Sequence, residues 1–173
     1  MIALEVALRT VLAAVFAVAF IGKVRSRAAI SEFASSLSDI TWLTGARRRI
    51  SAAAIPAAEL AVVLLLALPW AVAFGFGLSV LLLAAFTSVT GSELAKGRQV
   101  RCRCFGAGGG QIGPAQIVRN VVLLALSLAG LVIEPVSHGG VGAAGLIVAF
   151  GLALVAAVGL VRWDDLASLA RTS

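Results

Sequence analysis

The two cysteines of this chain stand one residue apart, at Cys102 and Cys104, flanked by Arg101 and Arg103 and followed by Phe105-Gly106. The thiolate is the reactive form of cysteine, and a neighbouring guanidinium stabilises it. A disulfide between residues i and i+2 closes a small, strained ring, and strain makes such a bond easier to reduce and so more oxidising. Gly106 and the run Gly108-Gly109-Gly110 let the segment open for a partner's active site. Three readings follow: a thiol–disulfide pair, a pair of thiolates holding Cu(I) or Hg(II), or two inert loop cysteines. A resident metal centre is not expected. Structural zinc needs four Cys or His ligands, and the single histidine, His138, falls on the opposite face in the topology argued below. The C-x-x-C-H haem motif is absent, and an iron–sulfur cluster lacks ligands.

Glu59 is the second candidate, one turn after Pro56 in an apolar run. Ten residues of helix from Arg49 rise about 15 Å, which brings this carboxyl near a bilayer midplane. An ionisable group at that depth is expensive and points to function. Glu59 is a candidate proton relay or hydrogen-bond partner of a quinone head group; a structural pairing with Arg9 is the alternative. Pro56 frees a backbone carbonyl nearby and favours a local polar pocket. Glu5 and Arg9, spaced i, i+4, read as a neutralising pair. Arg119-Asn120 follows the cysteine segment. Arg119 is expected to hold that segment, pair with Glu93, or anchor to lipid phosphates, the anchor being favoured.

The elements that position these residues are membrane spans. Of the 173 residues, 61% are hydrophobic and 13% charged, far from the roughly 45–50% and about 25% of soluble domains. Apolar blocks of about 20 residues, the length of a bilayer span, occur at about 2–22, 50–68, 71–91, 115–133 and 141–161. Only Pro69-Trp70 separates the second from the third, so they form a helical hairpin; the turn-rich 134–140 joins the last two. Between the first two spans, Ile30, Phe33, Leu37 and Ile40 recur at three- and four-residue intervals with Ser26 as N-cap, a short amphipathic helix over about 26–40 in the headgroup region. Ala17-Val18-Ala19 resembles a cleavage site, yet Glu5 precedes Arg9 and basic residues follow the apolar stretch, the reverse of a signal peptide. The expected fold is all-α, a polytopic transmembrane bundle. A four-helix core over 1–134 carries the cysteine loop at 92–114, and 135–173 adds a fifth C-terminal span and a short tail.

Charge then orients the chain. The net charge is +6, and 11 of the 14 Lys and Arg lie in two segments, Lys23–Arg49 and Lys96–Arg119. The hairpin returns the chain, so both segments share one side. The positive-inside bias makes that side the cytoplasm, with the N-terminus outside and the C-terminus inside. Trp42 and Trp163 then fall at the inner boundary and Trp70 at the outer one, as an aromatic belt requires. Membrane asymmetry accounts for the basic clusters, and no nucleic-acid partner is expected.

These residues together resemble the MauE family, the methylamine-utilisation membrane proteins allied to the DoxX-like group. The resemblance covers about residues 1–134. It rests on Phe16…Phe20-Ile21-Gly22-Lys23, the stretch with Phe33 and Leu37, Pro56-Ala57-Ala58-Glu59-Leu60, Cys102-Arg103-Cys104-Phe105-Gly106 and Arg119-Asn120; the C-x-C-F-G element is its specific part. It implies a redox-associated protein of the bacterial plasma membrane that works with a thioredoxin-like partner, or other membrane subunits, in maturing another protein. It also implies disulfide chemistry outside the cytoplasm, whereas the charge bias puts the cysteines inside. The pair works at the cytoplasmic face, or its loop folds back into the bundle, or the topology is inverted. The leading expectation is thiol–disulfide exchange through Cys102 and Cys104, with Glu59 handling protons or seating a quinone. The rivals are a non-catalytic membrane subunit or assembly factor, and a thiolate-based heavy-metal carrier.

Overall fold

The computed structural model describes residues 2–37, 45–96, 114–136 and 143–161, all but a few of them helical. Helix α1 covers Ile2–Val24, α2 Arg27–Ser36, α3 Gly45–Ala67, α4 Val72–Ala95, α5 Pro114–Ile133 and α6 Ala143–Val161; a 3₁₀ turn, Glu134–Val136, follows α5. Four of them, α1, α3, α4 and α5, are long and apolar enough to cross a bilayer, and the apolar α6 is shorter. The bundle is all-α and polytopic. Its spans match the apolar blocks of the sequence, and the main difference is at the start of α3, which takes in Arg47, Arg48 and Arg49 as its first turns. Residues 97–113, the bulk of the cysteine loop, fall outside the described residues, as do Trp42, His138 and Trp163.

Helices α1, α3, α4 and α5 close into a ring, each packing on the next and α5 returning to α1, while α6 lies chiefly against α1. In α6, Ala149, Ala153 and Ala157 are buried at four-residue intervals with Leu160, while Phe150, Leu152, Val155 and Val158 are exposed. Small residues let two backbones approach where lipid gives no hydrophobic drive, so an alanine ridge is what a fifth helix needs to seat on a finished core.

The chain runs up and down between two ends. At the hairpin end, Ala71 N donates to Leu68 O at 3.0 Å, closing the α3–α4 turn at Pro69-Trp70. The fit there is tight. A Cβ added at Gly75 meets the Leu66 backbone nitrogen at 2.9 Å, and one added at Gly130 would land on the Phe76 ring. At the other end, called here the loop end, α1 finishes, α3 and α5 begin, and α4 delivers the chain into the cysteine loop. There α2 lies against α1 and α3. Ser26 caps it, its Oγ accepting from Ala29 N at 3.0 Å, which satisfies an otherwise orphaned donor. Phe33 and Leu37 pack on Ala52 and Ile55. Ile30, expected on the same apolar stripe, is exposed instead; Ile40 lies outside the described residues.

Candidate functional site

A buried polar cluster occupies the loop end. Lys23, Glu59, Glu93, Arg119, Asn120, Gln116 and Thr90 are each at most 9% exposed. They come from the last turn of α1, the middle of α3, the last turns of α4 and the first turns of α5. Two cations and two carboxylates are thus taken into the interior together, which keeps the buried charge balanced. A balanced set is the condition under which such burial is tolerable.

The centre of the cluster is an ion pair between Lys23 and Glu59, Nζ to Oε1 at 2.7 Å, with side-chain exposures of 0% and 3%. Helical side chains lean toward the N-terminus of their own helix. The Lys23 stem therefore runs back along α1, and its ammonium also donates to Ala19 O at 3.3 Å. Since α1 and α3 are antiparallel, Glu59 leans the opposite way and meets it. The ammonium also lies 5.4 Å from the centroid of the Phe33 ring on α2, within cation–π range. One lysine thereby ties α1, α2 and α3 to a single point. Arg119 is near enough to act on Lys23 electrostatically. Glu93 Oε1 accepts from Lys96 Nζ at 3.0 Å, and that lysine side chain is half exposed, at the mouth of the loop. Oε2 of Glu59 makes no hydrogen bond among the described residues.

The sequence-based candidates divide into three sets. Glu59, Arg119 and Asn120 are all buried, and Arg119 acts electrostatically on the lysine that holds Glu59. Arg119, expected chiefly as an anchor at lipid phosphates, is instead only 4% exposed. Pro56 is buried in an α3 that continues through it, one turn before Glu59. Arg9 is elsewhere, at the hairpin end, and does not pair with Glu59. Its Nε donates to Leu66 O at 2.9 Å, and it pairs with Glu5 at 3.4 Å. Cys102, Cys104, Arg101, Arg103, Phe105 and Gly106 lie outside the described residues.

Lys23, Thr90 and Gln116 are buried polar residues that the sequence does not single out, and Lys23, at the start of a basic segment, reads as a loop cation. A signal was present. Glu5, Leu8, Leu12, Val15, Ala19 and Lys23 follow one another at three- and four-residue steps, and all are buried. Extending that stripe to its end puts Lys23 on the core face of α1 rather than in the headgroups.

Among the described residues no group of three or more His, Cys, Asp or Glu could hold a metal ion. Glu59 is closed to solvent and held by Lys23 through Oε1. What these residues can do is hold charge and hydrogen bonds in fixed positions at the end of the bundle from which α4 exits and α5 starts. In comparison with known proteins, one family model matches, described as methylamine utilisation protein MauE, over residues 1–133. No curated protein and no solved structure matches.

Proposed function

The chain belongs to the MauE family, and on that premise we propose that it is a membrane thiol–disulfide protein working through Cys102 and Cys104. The observation that carries this reading is the position of the buried cluster. The cysteine segment leaves α4 just after buried Glu93 and re-enters the bundle at Pro114, shortly before buried Arg119. Cys102 is six residues from Lys96, so chain reach keeps it within about 20 Å of the loop end at roughly 3.3–3.6 Å per residue.

In this reading a thiolate of the pair attacks a disulfide of a thioredoxin-like partner. A mixed disulfide forms, and one partner thiolate leaves and takes up a proton. The second thiolate then attacks the mixed disulfide, so the partner departs as a dithiol and Cys102–Cys104 is left as the disulfide. The same two steps run in reverse when the strained disulfide oxidises a partner dithiol. Arg101 and Arg103 stabilise the thiolates. Phe105 and Gly106 shape the approach, and Arg119 and Asn120 underlie the loop. Glu59 accepts and returns the proton through Oε2. The setting is a bacterial plasma membrane with the N-terminus outside and the C-terminus cytoplasmic, and the task is that of an accessory to the maturation of another protein, in methylamine utilisation as the family's description has it.

Acid trapping and alkylation of the cysteines in cells tests the reading. We expect a mixture of oxidised and reduced chains, and a mixed disulfide with one partner in Cys102→Ser or Cys104→Ser. Cysteines that are always reduced, with no mixed disulfide in either variant, would reject it. One observation favours a second reading, a non-catalytic subunit: a Cβ added at Gly151 or Gly159, two turns apart on α6, meets nothing within 4 Å. That leaves room for another helix to approach closely. Full activity in the Cys102→Ser/Cys104→Ser double variant, with only a partner's stability depending on this chain, would decide for it.

A further inference from the structure

Between α2 and α3 lies a groove of about 550 Å³ lined by Ile30, Ala34, Ser35, Arg48, Arg49, Ala52 and Ala53. Its two halves differ in chemistry. Ile30, Ala34, Ala52 and Ala53 form an apolar floor, and Arg48 and Arg49 supply two exposed guanidinium groups at the start of α3. Neither guanidinium makes a hydrogen bond or ion pair among the described residues, and no acidic residue lines the groove. The nearest acid on α2, Glu32, sits on that helix's exposed side. The first peptide N–H groups of α3 add positive potential at the same place.

We propose that this groove binds one anionic phospholipid of the surrounding leaflet, independently of the thiol chemistry. The head-group phosphate bridges Arg48 and Arg49, and the first methylenes of the acyl chains lie on Ile30, Ala34 and Ala53. Three observations choose a lipid over other occupants. The groove opens where an amphipathic helix meets a membrane span, at the depth of the head groups. Its charge is positive and meets no acidic partner among the described residues, matching a phosphodiester, which arginine binds with two parallel hydrogen bonds. Its floor is apolar, which a free anion would leave wet. Basic recesses between helices at this depth suit anionic head groups. A bound lipid would also clamp α2 on α3, keeping Phe33 over the Lys23 ammonium.

The test uses the full chain in phosphatidylcholine nanodiscs containing phosphatidylglycerol, with retention of phosphatidylglycerol measured by native mass spectrometry after release into detergent. Arg48→Gln/Arg49→Gln is expected to weaken retention about tenfold. Ala53→Phe, which keeps every charge and fills the groove from an exposed position, is expected to weaken it comparably. Arg25→Gln/Arg27→Gln, removing equal charge outside the groove, should leave it within about twofold. Equal loss in both arginine double variants would reduce the effect to diffuse surface attraction and overturn the site. So would displacement of the lipid by inorganic phosphate with no effect of Ala53→Phe, which would make the occupant a soluble anion. Melting temperatures of all variants separate misfolding from lost binding, and Ala53→Phe carries the decision if the arginine variant does not fold.

Discussion

Each end of α1 carries an ion pair, Glu5–Arg9 at the hairpin end and Lys23–Glu59 at the loop end, and the two have opposite characters. Glu5–Arg9 is an i, i+4 contact on one helix, 3.4 Å long, and the arginine side chain is 22% exposed. Lys23–Glu59 joins residues 36 apart, is 2.7 Å long, and is closed to solvent. The first costs little to form and stabilises little. Its arginine does more by donating to Leu66 O and Ala67 O at the end of α3, where carbonyls lack helical partners. The second requires two charges to be stripped of water, a cost that packing alone would avoid by placing aliphatic residues there. The hairpin end is therefore built by close fit, with Gly75 on Leu66 and Gly130 on Phe76. The loop end is built by charge, where α4 ends and α5 begins. A membrane bundle needs the first kind of end to be stable; the second kind carries a desolvation cost that stability alone does not call for.

The contrast is broken most severely by removing one partner of the buried pair. Lys23→Ala or Glu59→Ala should each cost about 3–5 kcal/mol by stranding a buried charge, seen as a large fall in melting temperature or accumulation. Lys23→Met/Glu59→Leu should recover most of that loss. If the pair serves the thiols, the double variant folds yet no longer cycles its cysteines between oxidised and reduced forms; unchanged cycling would make the pair purely structural. At the other end, Gly130→Ala should cost about 1–3 kcal/mol through collision with Phe76. Gly151→Ala, in open space, should be neutral or stabilising by up to about 1 kcal/mol in the same thermal assay. Arg9→Ala should lower stability by only about 1 kcal/mol, the worth of a hydrogen bond; a loss as large as that of Lys23→Ala would erase the distinction between the two pairs. A small loss is expected from Phe33→Leu, which keeps the apolar contact with Ala52 and Ile55 but removes the ring from Lys23, at about 0.5–1 kcal/mol.

Much of this was legible in the chain. Apolar blocks fixed by bilayer thickness placed α1, α3, α4, α5 and α6 to within a few residues, and Ser26 marked the start of α2. Glu59 declared itself through its depth. Its partner did not. Arg9 and Lys23 are both cations on α1, and choosing between them requires knowing how far α3 slides along α1, a register that hydropathy does not encode. Arg119 was misread for the same reason: an arginine at the start of a span looks alike whether it turns toward lipid or toward the bundle axis.

Secondary structure, span number and the cost of each intramembrane charge are local properties, set by hydrophobic length, helical period and desolvation, so the amino-acid order alone decides them. Which charges neutralise one another depends on helix rotation and axial offset, and those are settled by small-residue contacts such as Gly75 against Leu66 and Ala153 against α1. Only the folded bundle brings Lys23, Phe33 and Glu59 to one point, because three helices must dock before any of the three can touch.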